Sequence, residues 1–276
     1  MLYVCATPIG NLEDITYRVV KILSSVDLIA AEDTRQSVKL LNHFNIKTPL
    51  TSYHEHNKDS KGNKLITMLK DGKDIALVSD AGMPGISDPG EDLIKLCYEN
   101  DIKVTVAPGA TAAVTAIVLS GLNARSYIFE GFLPKGKKQR QLVLQRLKDE
   151  TRTTIFYEAP HHLLATLEDI YSYAGNRLIA IEKELTKKYE DVRRGSLEDM
   201  IQYYTQNKPQ GEYVIVLEGA NPIDTQKAEL QKYNNITLNE HFNMYIQQGM
   251  DEKSAMKQVA KDRNIGKRDV YKEIKG

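Results

Sequence analysis

Short, mainly apolar runs rich in β-branched residues alternate with segments of amphipathic helical spacing through most of this chain, which restricts it to an α/β arrangement. Leu2 to Ala6, Leu28 to Ala31, Ile75 to Ser79 and Lys103 to Ala107 read as strands. Their unbroken apolar character predicts a buried, mainly parallel sheet, because strands covered on both faces lose the polar alternation of half-exposed ones. Between them, Thr16 to Leu23, Glu91 to Tyr98 and Ala112 to Leu119 present apolar helical faces.

A second set begins near Ser126, with strands over Tyr127 to Leu133, Thr153 to Tyr157, Leu178 to Ile181 and Tyr213 to Leu217, and a helix over His162 to Tyr173. The break between the sets falls at Gly121 to Arg125. After Gly219 the chain turns polar through Asn235 and contains Pro222, which predicts a linker. Thr237 to Gln247, Asp251 to Arg263 and Lys267 to Ile274 then form three short helical patterns, resembling a helix-turn-helix module or a small helical cap. The expected organisation is an N-terminal α/β domain over 1–121, a second α/β domain over 122–219, a linker over 220–235 and a helical unit over 236–276. A length of 276 residues suits two compact cores.

Three turns at strand ends are placed where an open parallel sheet binds its ligands. The first is Thr7-Pro8-Ile9-Gly10-Asn11, which lacks the glycine spacing needed to seat a pyrophosphate on a helix N-terminus and so argues against a dinucleotide. The second runs from Ser79 through Asp80, Ala81, Gly82 and Met83 to Gly85. Its glycines permit close backbone approach and its proline stiffens the path, as in a preformed binding loop; Asp80 can serve a ligand ammonium or hydroxyl, or simply an Asx-turn. The third, Ala107 to Ala113, leads into a helix of small residues. It leaves room for a planar ring or for tight helix-to-sheet packing.

These turns belong to longer motifs. Thr7-Pro8-Ile9-Gly10-Asn11-Leu12, Ala30-Ala31-Glu32-Asp33-Thr34-Arg35, Leu77-Val78-Ser79-Asp80-Ala81-Gly82 and Glu130-Gly131-Phe132-Leu133-Pro134, with Phe156-Tyr157-Glu158 and Glu184-Leu185-Thr186-Lys187, closely resemble the 16S ribosomal RNA (cytidine-2′-O)-methyltransferase family. That family belongs to the tetrapyrrole methylase superfamily. The resemblance implies two α/β domains holding S-adenosylmethionine in the cleft between them, usually in a homodimer. It further implies cofactor contacts from Pro8 and Gly10, from Asp80 to Met83, and from Ala110, Thr111 and Ala112. The second domain would contribute Tyr157, Leu185, Gly211 and Glu212. Met83 stands where the family pattern has threonine, and Ala110 where it has proline, so side-chain contacts at those two positions are in question.

Methyl transfer from a sulfonium is an in-line displacement, and a ribose hydroxyl attacking it has to lose its proton. The candidates are Glu32, Arg35 and Glu184, with Lys183 as the alternative to Glu184. Glu32 and Arg35 can equally form a structural ion pair. His54 and His56 share a face at two-residue spacing without a clear third ligand; this chemistry requires no metal.

Thirty-seven basic residues balance thirty-seven acidic ones, so attraction to RNA must be local. From Lys135 to Arg152 seven basic residues face two acidic ones, and from Lys253 to Lys275 eight face three. Lys135, Lys137, Lys138 and Arg140 are the expected RNA contacts on a flexible basic loop, and Lys267 and Arg268 those on the last helix. The partner is then 16S rRNA within the small ribosomal subunit. The start of the chain carries no basic segment before an apolar core, and Cys5 and Cys97 are not paired in sequence. A soluble, cytoplasmic protein with neither disulfide scaffold nor membrane span is expected.

Overall fold

The computed structural model describes residues 1–222, 233 and 235–275; of the linker expected over 220–235, residues 223–232 and 234 lie outside the described ones. The first unit comprises β1 (Leu2–Cys5), α1 (Tyr17–Ser25), β2 (Leu28–Ala31), α2 (Thr34–His43), β3 (Leu50–Ser52), α3 (Lys58–Lys70), β4 (Ile75–Val78), α4 (Gly90–Glu99) and β5 (Val104–Ala107). Its five strands lie in the order β3-β2-β4-β1-β5, every pair parallel. Both faces of the central strands are covered, as the apolar runs demand, while Val106 on the edge strand β5 stays exposed. Leu2, Val4 and Leu77 pack on Leu65 and Leu93 of α3 and α4, while Ile29, Ala31 and Val78 pack on Val19 and Leu41 of α1 and α2. Burying each leucine- or valine-sized side chain contributes about 1.5–3 kcal/mol.

Helix α5 (Ala112–Ser120) precedes the expected break at residue 121, yet its buried face lies on the second sheet. Ala113 and Ala116 are small enough to let it approach closely, and with Ile117 they cover Ile155, Ala180 and Val216. That sheet is formed by β6 (Tyr127–Phe132), β7 (Thr153–Glu158), β8 (Leu178–Lys183), β9 (Asp191–Ser196) and β10 (Tyr213–Leu217), in the order β6-β7-β10-β8-β9. Only β6 and β7 are parallel; the other pairs are antiparallel. Its far face is closed by α6 (Lys137–Leu147), α7 (Leu163–Ala174) and α8 (Leu197–Gln206), around Leu144, Phe156, Ile170, Ile181 and Ile215.

The stretch expected to be a flexible basic loop is mostly the first turns of α6. Lys135, Lys137 and Lys138 are exposed. Arg140 is not free to meet phosphate: its Nε donates to Asp169 Oδ2 at 2.7 Å and its guanidinium to Thr166 Oγ1 at 3.0 Å. An ion pair tying α6 to α7 replaces the RNA contact expected there.

The last unit consists of α9 (Leu238–Gln247), α10 (Glu252–Asp262) and α11 (Lys267–Lys275), around Phe242, Ala255, Val259 and Val270. Thr237 and Glu240 cap the first of these helices reciprocally, satisfying backbone N–H groups that a helix start leaves open. Lys267, Arg268 and Tyr271 are exposed on α11. Among the described residues no helix is long and apolar enough to cross a membrane.

Candidate active site

The carboxyl ends of β1, β2 and β4 are knitted into one platform. Thr7 and Gly82 exchange backbone hydrogen bonds, and the Thr7 hydroxyl donates to the Ser79 carbonyl at 3.2 Å. Asp80 accepts from the Asp33 backbone N–H at 2.9 Å, joining the Ser79–Gly85 turn to the Glu32 segment. Asp88 closes that turn from the other side by accepting from the N–H groups of Gly85 and Gly90. The turn is thus preformed, and Gly82 with φ +82 adopts a conformation that costs other residues strain.

Opposite the platform stands the near face of the second sheet. Tyr157, Val214 and Glu182 lie side by side across β7, β10 and β8. The Ala113 N–H donates to the Tyr157 hydroxyl at 3.2 Å, fixing the start of α5 against this floor. The walls meet at Gly10, where an added Cβ would stand 2.5 Å from Lys187 Cγ and 2.8 Å from the Leu185 carbonyl oxygen. Between them is a cavity of about 510 Å³, within the range of small-molecule sites.

Asp80, Ala81, Gly82, Met83, Thr111, Ala112, Tyr157, Leu185 and Glu212 all line this cavity, as does Glu32. Pro8, Gly10, Ala110 and Gly211 do not, but frame it. Gly211, at φ +88, would press a Cβ against the Glu184 carboxylate at 2.7 Å. Glu184 itself accepts from the Glu212 N–H at 2.9 Å and pairs with Lys187 at 3.1 Å, so its carboxylate holds the turn before β10 rather than facing the cavity. Lys183 is half-buried outside the lining. Arg35 is exposed, paired with Asp33 at 2.7 Å, and does not line the cavity. His54 is held by Asn57, and its ring centroid lies 6.0 Å from that of the exposed His56.

Two cavity carboxyls are pushed above the ordinary range. Glu32 is raised by burial, then by the neighbouring charges of Asp80, Asp88 and Asp33. Glu182, which in sequence stands just beyond the expected strand, is pushed up to about 8 by burial despite the opposing Arg194. Glu158 also lines the cavity, and its two oxygens accept from the Ala159 N–H and the Thr166 hydroxyl. The arrangement joins an acidic rim, suited to a cationic ligand group, to an apolar floor suited to a flat ring.

A family profile described as Tetrapyrrole (Corrin/Porphyrin) Methylases matches residues 1–201. The chain belongs to this tetrapyrrole methylase family. Membership implies a methyl donor and makes the chain a methyltransferase. The chain is 48% identical over 272 residues to a Halalkalibacterium halodurans protein named Ribosomal RNA small subunit methyltransferase I, covering 98% of this chain and 93% of that one. The Bacillus subtilis protein of the same name is also 48% identical, covering 98% and 92%. A Thermotoga maritima relative, again of that name, is 46% identical over 218 residues, which make up 79% of this chain and 98% of that protein. Among solved folds, CobJ matches with TM-score 0.61 at 18% identity, over 79% of this chain and 94% of that one. The Thermus thermophilus uroporphyrin-III-C-methyltransferase matches with TM-score 0.57 at 18% identity, over 83% and 97%. Both show the shared fold.

Proposed function

We propose that this protein transfers the methyl group of S-adenosylmethionine to the ribose 2′-hydroxyl of a cytidine in 16S rRNA of the small ribosomal subunit. The observation that carries this reading is 48% identity along nearly the whole chain to proteins named for small-subunit rRNA methylation. The cleft fits the donor's chemistry. Its acidic rim at Glu32, Asp80 and Asp88 suits the donor's sulfonium and ammonium, while Leu185, Val214 and Ala112 offer apolar surface to its base. When bound, the donor supplies an electrophilic methyl carbon. The protein's part is to hold the ribose oxygen in line with it, exclude water, and take the hydroxyl proton, a role we assign to Glu32.

The test is transfer of labelled methyl to small subunits isolated from cells lacking the protein. Label recovered as 2′-O-methylcytidine in 16S rRNA is the expected result. Label in a tetrapyrrole instead, or in no acceptor, contradicts it.

Lys135, Lys137 and Lys138 on one side and Lys267 and Arg268 on the other are the proposed phosphate-binding side chains, all exposed. Reversing the first three to glutamate is expected to weaken subunit binding and to flatten its log–log salt dependence by about 0.7–0.9 for each phosphate the protein no longer neutralises. Donor affinity should stay unchanged; an unaltered salt slope speaks against this role for the three lysines. The proposed working form is a cytoplasmic homodimer. Val106 on the edge strand β5, and Val114 and Val118 one turn apart on α5, are exposed apolar side chains that pairing can cover. Sedimentation equilibrium should give twice the chain mass for the native protein and a shift toward the monomer for Val118→Glu.

A further inference from the structure

Glu182 is the one cavity-lining carboxyl among the described residues with no exposed surface and no hydrogen-bond partner on either oxygen. Native structures rarely leave such groups unmatched, because a buried acceptor without a donor forfeits its hydration for nothing. The side chain has a definite direction. Along β8, Ile179 and Ile181 enter the core beneath α6 and α7, whereas Ala180 packs on the opposite face beneath α5, and the two-residue period puts Glu182 on that second face. It neighbours Val214 directly, with Tyr157 on Val214's other side. Glu182 and Tyr157 therefore stand about 10 Å apart, twice the cross-strand side-chain spacing, with Val214 as the apolar floor between them.

The surroundings determine what the carboxyl can bind. From β9 the Arg194 guanidinium faces the same side, but it donates to the Ser120 carbonyl at 2.9 Å and to the Leu119 carbonyl, capping α5. Helix α5 contributes no titratable group, and β10 contributes Val214 and Val216 on this face. Tyr157 from β7 is engaged by the Ala113 N–H, and the nearby Glu212 is paired with Lys187 at 2.7 Å. Burial without a free donor favours the neutral acid at pH 7. A neutral carboxyl offers one donor and one acceptor side by side. Its complement is a planar edge carrying an acceptor nitrogen beside an amine. A cation or a ribose diol would call for a carboxylate, and Glu32, Asp80 and Asp88 provide those on the other wall.

Resting on the proposed use of S-adenosylmethionine, we infer that Glu182 is a specificity residue whose carboxyl pairs with the ring nitrogen and exocyclic amine of the donor's adenine as the purine lies over Val214. The chemical class it selects is a 6-aminopurine. Tyr157, at the far end of the row, bounds the ring.

The test is titration calorimetry of wild type, Glu182→Gln and Glu182→Ala with S-adenosylhomocysteine and with its purine analogue lacking the exocyclic amine. Glu182→Ala should lose about tenfold or more in affinity for S-adenosylhomocysteine, while Glu182→Gln, which keeps a donor and an acceptor, should stay within about threefold. Wild type should discriminate against the amine-free analogue by about tenfold and Glu182→Ala by no more than about twofold, a difference that a merely structural role would not produce. Wild-type affinity should also fall as pH rises through about 8, and that of Glu182→Gln should not. Without ligand, neither variant should melt below wild type, since each removes a buried ionisable group. Equal affinity of wild type and Glu182→Ala, or equal discrimination by both, overturns the assignment alone. Absence of saturable binding by wild type overturns the proposed function with it.

Discussion

Glu32→Gln is expected to lower the rate of methyl transfer by about a hundredfold, at the low end for loss of a general base, while donor affinity changes by only a few-fold. Glu32 follows β2, lines the cavity, and is raised by burial and by Asp80, Asp88 and Asp33. A carboxyl held above its ordinary value near 4.5 is a stronger proton acceptor once ionised. The amide is nearly isosteric and cannot take a proton from the proposed ribose acceptor. Loss of rate should therefore come without loss of fold; removing one of several clustered negative charges should leave the melting temperature level or higher. The pH profile gives the second readout. In wild type the rate should rise through a carboxyl titration displaced above 4.5, and in Glu32→Gln that limb should vanish. Single-turnover rates within about threefold of wild type at all pH values would remove Glu32 from this role.

Gly10→Ala should cost donor affinity through a different route. The new Cβ meets the Leu185 carbonyl oxygen at 2.8 Å, Thr186 Oγ1 at 2.7 Å and Lys187 Cγ at 2.5 Å. The lysine methylene can swing away, but the carbonyl belongs to a backbone held by the Glu184 N–H bond to Glu212 at 2.9 Å and by Glu190, which accepts from the Thr186 N–H. Thr186 itself has φ +63, leaving that segment little freedom. Forcing a methyl into such a contact costs about 1–3 kcal/mol, so the first-domain turn and the Leu185 segment should separate. Both line or frame the cavity, and donor affinity should drop by about tenfold, with a lowered melting temperature that saturating donor partly restores. Unchanged affinity would mean that the two walls do not need this close approach.

The platform is legible in the sequence because its signals are local. Each turn pairs glycine or proline with a preceding apolar run, and parallel topology brings such turns to one end of the sheet. The second wall is less legible. Strand β9 reads Asp-Val-Arg-Arg-Gly-Ser, too polar to announce itself, because it is an edge paired only with β8. Glu182 follows the apolar run Ile179 to Ile181 and so resembles a residue ending a strand; only its cross-strand neighbour Val214 shows that it points into the cleft. A lone acid extending a buried strand in the two-residue period is the signal that could have found it. Helix α5 looks like a first-domain element because it follows β5, but its alanine face fits the second sheet. Arg140 reads as free because its partner, Asp169, lies on a separate helix.

The strand-end turns of the first sheet and the Tyr157–Val214–Glu182 face of the second are proposed to enclose one methyl-donor site. A crystal structure of the protein with S-adenosylhomocysteine tests it most directly. The product should lie in the cavity, touching the Asp80–Met83 turn with one end and Leu185 and Val214 with the other. Ordered product bound anywhere else, with that turn untouched, would contradict it.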